Sequence, residues 1–178
     1  MCYNIEKQSS CDNVIKLLNN KEMLIYDKLN SFEEKVSIHN LLSITTPALK
    51  HMKEYKEADI IHFHMFHNTK LSIPSLIDIS REKHVVLSLH DPWFLTGRCV
   101  HFYDCNKWIS GCNKCNNLDN LFPFTKDNCK SMWNIKKEVF NNSNIDVVVS
   151  SKWMYDNVKL SPIFGENVRL HLIPFGVD

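Results

Sequence analysis

The sequence predicts a parallel α/β sheet of the doubly wound kind. Three observations predict it. From residue 59 onward, short β-rich apolar runs alternate with stretches whose apolar residues recur at helical spacing. The runs DIIHFH (59–64), HVVLSLH (84–90), IDVVVS (145–150) and NVRLHLIP (167–174) read as strands, HVVLSLH with no clean alternation, as a strand covered on both faces would show, and IDVVVS as another buried strand. Two of them end in histidine, at the strand C-termini where ligands bind such sheets.

Taken in order, residues 1–57 are the least defined part of the domain. KEMLIY (21–26) reads as a short strand, and residues 37–58 as one or two short helices broken at Pro47. DIIHFH is the first clear strand. SIPSLIDISREK (72–83) carries Ile73, Leu76, Ile77 and Ile79, which suits a helix opening near Pro74. HVVLSLH follows as a buried strand, then a long loop from 91 to about 126. DNCKSMWNIKKEVFNN (127–142) puts Met132, Ile135, Val139 and Phe140 on one face, with Asp127 as N-cap. IDVVVS is a third strand, SKWMYDNVKLS (151–161) a helix capped by Ser150 or Ser151, and NVRLHLIP a fourth strand.

The totals bound the rest. A chain of 178 residues is one domain with a real core. Hydrophobic residues make up 44% and charged residues 23%, an ordinary globular balance. A net charge of +1 supplies no field for nucleic acid. The polar start MCYNIEKQSS lacks the apolar core of a signal peptide, and no stretch approaches the roughly 20 apolar residues of a membrane span. The expected location is cytoplasmic. Seven cysteines there point to metal binding or packing rather than disulfides.

Four constellations can carry chemistry. His62 and His64, two apart on a strand, share a face. Such an HxH pair suits a metal-dependent hydrolase, or one packed histidine and one cleft histidine. His90 and Asp91 sit at the predicted ligand edge, where a neutral imidazole can donate to or accept from a sugar hydroxyl, or can cap the strand end. Cys99, Cys105, Cys112 and Cys115 fall in one loop with spacing C-x5-C-x6-C-x2-C. The final CxxC is half of a zinc site, and a closed tetrathiolate would order a loop that otherwise has no core. His101 is a substitute ligand; packed free thiols and redox chemistry are the other readings. Cys2, Cys11 and Cys129 read as small apolar residues. Ser150 and Ser151 can cap a helix or hold an anion, and capping suffices.

The ordered segments ADIIHFHMFHN, VVLSLHDPWFLTGRC, CNKWISGCNKC, DVVVSSKWMYDNV and VRLHLIPFGVD resemble family 4 glycosyltransferases of the GT-B fold, of the colanic-acid and capsular polysaccharide type. The resemblance covers residues 58–178 and implies the N-terminal, acceptor-side, Rossmann-like domain of a two-domain bacterial enzyme, here with a cysteine-rich loop insertion. It implies transfer of a sugar from a nucleotide-sugar donor to a saccharide or lipid-linked acceptor with retention, without a catalytic metal. His90 matches the histidine that contacts the transferred sugar, and His64 the histidine closing the preceding strand. Asp91, Thr96 and Gly97 fall in the matched substrate segment. Trp93, Trp108 and Trp153 read as packing. Phe175 stands where the family has asparagine.

The family's first strand with its glycine-rich turn, and the donor-binding second domain, are not visible in these residues. The chain therefore reads as a fragment, inactive alone. The alternative is a non-catalytic acceptor-binding subunit working with a separate donor-binding chain. Lys126, Lys130, Lys136 and Lys137 suit peripheral contact with anionic lipid, or simply a solvated helix face.

Overall fold

The computed structural model describes residues 2–3, 14–116, 118 and 125–176; Cys11, Val177 and Asp178 lie outside the described residues. The chain opens with a two-residue parallel pairing between β1 (Cys2–Tyr3) and β2 (Ile15–Lys16). Then comes α1 (Asn20–Lys35), which replaces the strand expected at 21–26. Asn19 caps it by accepting from the Lys21 and Glu22 N–H groups, while Glu22 accepts from the Asn19 N–H. That reciprocal capping box outweighs a short apolar run, and Leu24 and Ile25 stay exposed on the helix.

Two short helices follow, α2 (Thr45–His51) and α3 (Lys53–Glu57). Pro47 does not break them. It sits in the first turn of α2, where a missing N–H costs nothing, and the break falls at the extended Met52. The buried Glu33 carboxylate ties this region together by accepting from the Asn40, Leu41 and Leu42 N–H groups.

The principal sheet is built from β3 (Ile60–His64), β4 (His84–Leu89), β5 (Ile145–Val149) and β6 (Arg169–Leu172). All four are parallel and adjacent in chain order. The crossovers are α4 (Ser75–Glu82), α5 (Cys129–Asn141) and α6 (Lys152–Leu160). Ser151 caps α6 by accepting from the Met154 N–H. This is the parallel, helix-flanked, Rossmann-like architecture that the sequence predicts. Within the described residues the winding runs one way, so right-handed crossovers place these three helices on one face.

That one-sidedness corrects the expectation of strands buried on both faces. Phe63, Val85, Leu87, Leu89, Ile145, Val147 and Val149 form a continuous buried layer under the helices. The alternate residues His62, His64, Val86, Ser88 and Val148 remain partly exposed. β6 is an exposed edge. At the opposite end of the sheet from the strand C-termini, Asp146 is buried among His84, Arg169 and His171. His84 Nε2 lies 2.8 Å from its carboxylate, Arg169 donates at 2.8 and 2.7 Å, and His171 Nε2 lies at 2.7 Å.

Helix α5 buries Cys129, Met132, Trp133, Lys136, Val139 and Phe140. Lys136 is fully buried, which corrects the reading of its lysine cluster as one solvated or lipid-facing surface. Trp93 and Trp108 pack inside as expected, whereas Trp153 is 48% exposed and stacks on His101 and Phe102.

Candidate functional site

The parallel register sets His64 opposite Ser88, so the C-terminal ends of β3 and β4 lie side by side. Strand alternation puts His62 and His64 on the open face, with ring centroids 4.1 Å apart. His62 Nε2 lies 2.9 Å from Ser88 Oγ. His64 Nδ1 lies 2.9 Å from His90 Nε2, and the two rings stack at 5.2 Å. One imidazole donates to the other, so the two rings are held in a fixed mutual orientation. Among the described residues, His64 Nε2 and His90 Nδ1 have no hydrogen-bond partner.

Phe175 lies parallel to the His90 ring at 5.8 Å. It is brought there because Ile173 N–H donates to Val149 O, carrying the segment after β6 across the sheet edge. Phe175 is 66% exposed. The exposed aromatic and the paired imidazoles thus meet at one strand-end surface, with Asp91 next in the chain.

Asp91 is partly committed to structure. Its Oδ1 accepts from the Trp93 N–H and caps the 3-10 turn Pro92–Leu95. Its other oxygen lies 3.8 Å from Nε2 of the buried His67, whose ring packs against Trp93. Burial lowers the pKa of His62, His64 and His67 below the ordinary histidine value. Neighbouring imidazoles add to the effect at His62 and His64, and Asp91 opposes it at His67. The lowered values favour the neutral form of His62, His64 and His67, in which a ring donates at one nitrogen and accepts at the other.

Behind the edge, the loop is fastened to α5. Lys136 Nζ donates to Trp93 O at 2.6 Å, Thr96 O at 2.9 Å and Gly97 O at 3.5 Å, and sits 3.6 Å from the Trp93 ring centroid. Burial lowers this ammonium to about 7, while Cys112, Asp91, Cys99 and Cys129 pull it back up. Thr96 is buried, donating to Cys99 O at 2.7 Å. Gly97 is pressed against the Cys129 backbone. Both belong to the packing of the loop on α5, behind the edge that holds His64 and His90.

The cysteine loop continues from there. Cys99, Cys105, Cys112, Cys115 and Cys129 are free thiols. Gly97 N–H donates to Cys112 Sγ at 3.2 Å. Asp127 does not cap α5 by itself: it accepts from the Cys115 N–H at 2.8 Å and the Cys129 N–H at 3.2 Å, pinning the loop to the helix start. Burial raises the Cys99 and Cys112 thiols, Cys112 to about 11. His101, offered as a substitute ligand, is exposed, and its Nδ1 accepts from the Tyr103 N–H. Among the described residues no three His, Cys, Asp or Glu side chains already stand in the geometry of a metal centre.

Sequence reasoning missed the burial of Lys136, the stacking of Phe175 on His90 and the setting of Cys129. Lys136 was legible: Met132, Lys136 and Phe140 recur every four residues, which places the lysine on the buried stripe. Nothing local marks Phe175, since its partner His90 is distant in the chain.

No family profile and no solved structure matches the chain. It is 32% identical over 88 residues to a protein of Escherichia coli (strain K12) provisionally named colanic acid biosynthesis glycosyl transferase WcaC. The match covers 46% of this chain and 22% of the relative, so the chain spans well under two thirds of that protein. No helix among the described residues is long and apolar enough to cross a membrane.

Proposed function

We propose that this chain is the acceptor-side part of a glycosyltransferase of family 4 with the GT-B fold. It would transfer a sugar, with retention, from a nucleotide-sugar donor to a saccharide or lipid-linked acceptor of a surface polysaccharide. The observation that carries the reading is the His64–His90 pair at the strand C-termini, flanked by Asp91 and Phe175. The similarity to the glycosyl transferase above supports it.

In this reading, residues 58–178 supply the sugar-side contacts, and 1–57 belong to the same domain. Recognition of the nucleotide lies outside these residues. His64 fixes the ring of His90, so the free nitrogen of His90 meets a sugar hydroxyl without losing side-chain freedom on binding. Neutral rings serve better than cations here. A positive charge facing a developing oxocarbenium ion would raise the barrier, whereas a hydrogen bond to a hydroxyl does not. Phe175 stacks on His90 and supplies an apolar ring beside that nitrogen. The exposed Lys126 and Lys130 remain available to an anionic membrane that presents a lipid-linked acceptor.

The test is His90→Asn in the longest natural protein carrying these residues, assayed for nucleotide-sugar turnover. Losing the positioned imidazole lowers kcat about 100-fold with the fold intact. An unchanged kcat removes His90 from the site. The 178 residues alone are expected to turn over no nucleotide-sugar, and measurable turnover contradicts donor recognition elsewhere.

A further inference from the structure

A second group of rings stands outside the strand-end pair: His101, Phe102 and Tyr103 of the cysteine loop, with Trp108 and Trp153. They form a ladder that climbs from the core to solvent. Trp108 is buried, and its carbonyl accepts from the Trp133 Nε1–H on α5 at 2.9 Å. Phe102 stacks on Trp108 with centroids 4.8 Å apart, and Trp153 stacks on Phe102 at 5.5 Å. His101 lies 6.1 Å from Trp153 with its plane tilted by 20°, and Tyr103 lies 4.4 Å from His101. At the top, Trp153 is 48% and Tyr103 70% exposed. Tyr103 has a φ of 45°, which a bulky side chain adopts only when its surroundings fix it. Its N–H donates to His101 Nδ1, and the Cys105 N–H donates to Phe102 O. An accepting Nδ1 leaves the His101 proton on Nε2. Among the described residues, the His101 Nε2–H, the Tyr103 hydroxyl and the Trp153 indole N–H have no hydrogen-bond partner. An exposed apolar patch rimmed by unengaged polar groups marks a binding surface.

The ladder adjoins the strand ends. β4 and β5 are neighbours with Leu89 opposite Val149, so His90 and Ser150 leave the sheet side by side. Trp153 follows in the first turn of α6, and α6 packs on the turn Pro92–Leu95 that begins after Asp91. We propose that His101, Phe102, Tyr103 and Trp153 form a subsite for a pyranose ring of the saccharide acceptor, one that is bound but does not react. The proposal rests on the transferase reading above. A pyranose offers a face of C–H groups, which packs on the electron-rich face of an aromatic ring, and a rim of hydroxyls, which pairs with the two N–H donors and the tyrosine hydroxyl. A lipid chain would leave those three polar groups without partners. A nucleotide would need a cation for its phosphates, and the lysines adjoining Trp108 and Trp153 are engaged: Lys107 donates to Lys114 O and Asn116, and Lys152 pairs with Asp156. Rings stacked before binding lose little freedom on contact.

The experiment is an array of neutral and acidic oligosaccharides probed with the full 178-residue chain, the best-bound glycan then being titrated by calorimetry. The expected result is saturable binding, about 10-fold weaker in Trp153→Ala, weaker in Tyr103→Ala and close to wild type in Trp153→Phe. Phe32→Ala, which removes a comparably exposed ring on α1, leaves binding unchanged. No glycan bound, affinity unchanged in Trp153→Ala, or UDP or GDP bound at these rings in place of glycans overturns the subsite. Should Trp153→Ala not fold, Tyr103→Ala on the exposed loop decides, and unchanged affinity there overturns it as well. Binding is read without donor or turnover, which separates this subsite from the transferase reading. Glycan binding lost in Trp153→Ala while His90→Asn keeps full turnover upholds the subsite and removes His90. Turnover lost in His90→Asn with no glycan bound to the chain overturns the subsite alone.

Discussion

Replacing Gly97 by alanine tests how the site loop is held. A Cβ built at Gly97 stands 2.8 Å from both the Cα and the carbonyl carbon of Cys129, and nearer still to its carbonyl oxygen. These are backbone atoms of the first turn of α5, which cannot swing aside as a side-chain tip can. Overpacking of this kind costs about 1–3 kcal/mol. The rigid neighbour argues for the upper part of that range. Gly97 has no left-handed φ, so alanine adopts its backbone freely, and the stiffer unfolded chain returns about 0.4–1 kcal/mol. The net is a loss of about 2 kcal/mol, or about 4–8 °C in the thermal midpoint for a chain of this size. Circular dichroism melting reads it, with Gly176→Ala as the control, since nothing lies within 4 Å of a Cβ there. The loop must also move off α5, loosening the Gly97 N–H from Cys112 Sγ. An unchanged midpoint, or an equal fall in both variants, refutes the claim that this contact fastens the loop.

The remaining expectations concern charge. Asp146→Asn removes the negative charge and one of the two acceptor oxygens shared by Arg169, His171 and His84, and costs about 1–3 kcal/mol, toward the lower end because those partners are about half exposed. Hydrogen bonds from Arg169, then His171, hold this carboxyl below the usual carboxylate range, so its contribution is full above about pH 4 and is lost as pH falls. The wild-type advantage in urea unfolding should therefore shrink toward about pH 2, and an advantage independent of pH would count against the assignment. His64, lowered by burial and then by His90, titrates below 6.5. The unfolded chain takes that proton first, so stability is full above about pH 6.5 and falls as pH drops through the folded value. Histidine proton NMR reads the midpoint directly, and a value at or above 6.5 contradicts the lowering of His64 by its burial.

The sequence by itself determined the elements whose signal is local. The four strands of the sheet, the helix opening at Pro74 and the Ser151 cap all follow from apolar period and capping chemistry within a few residues. It also placed His64 and His90 at strand C-termini, because each closes an apolar run. The misread α1 shows where local signals compete: KEMLIY suits a strand until Asn19 and Glu22 are read as a capping box. Tertiary structure alone decided the rest. Strand order fixed which face of each strand is covered, so HVVLSLH, apolar enough for two buried faces, is covered on one. Parallel register set His64 against His90, and the path after β6 laid Phe175 over that ring. Burial of Lys136 depended on three carbonyls about forty residues away in the chain. Period and propensity act over one or two turns of chain, whereas hydrogen-bond partners and counter-charges are set by the packing of distant segments, which only the folded chain brings together.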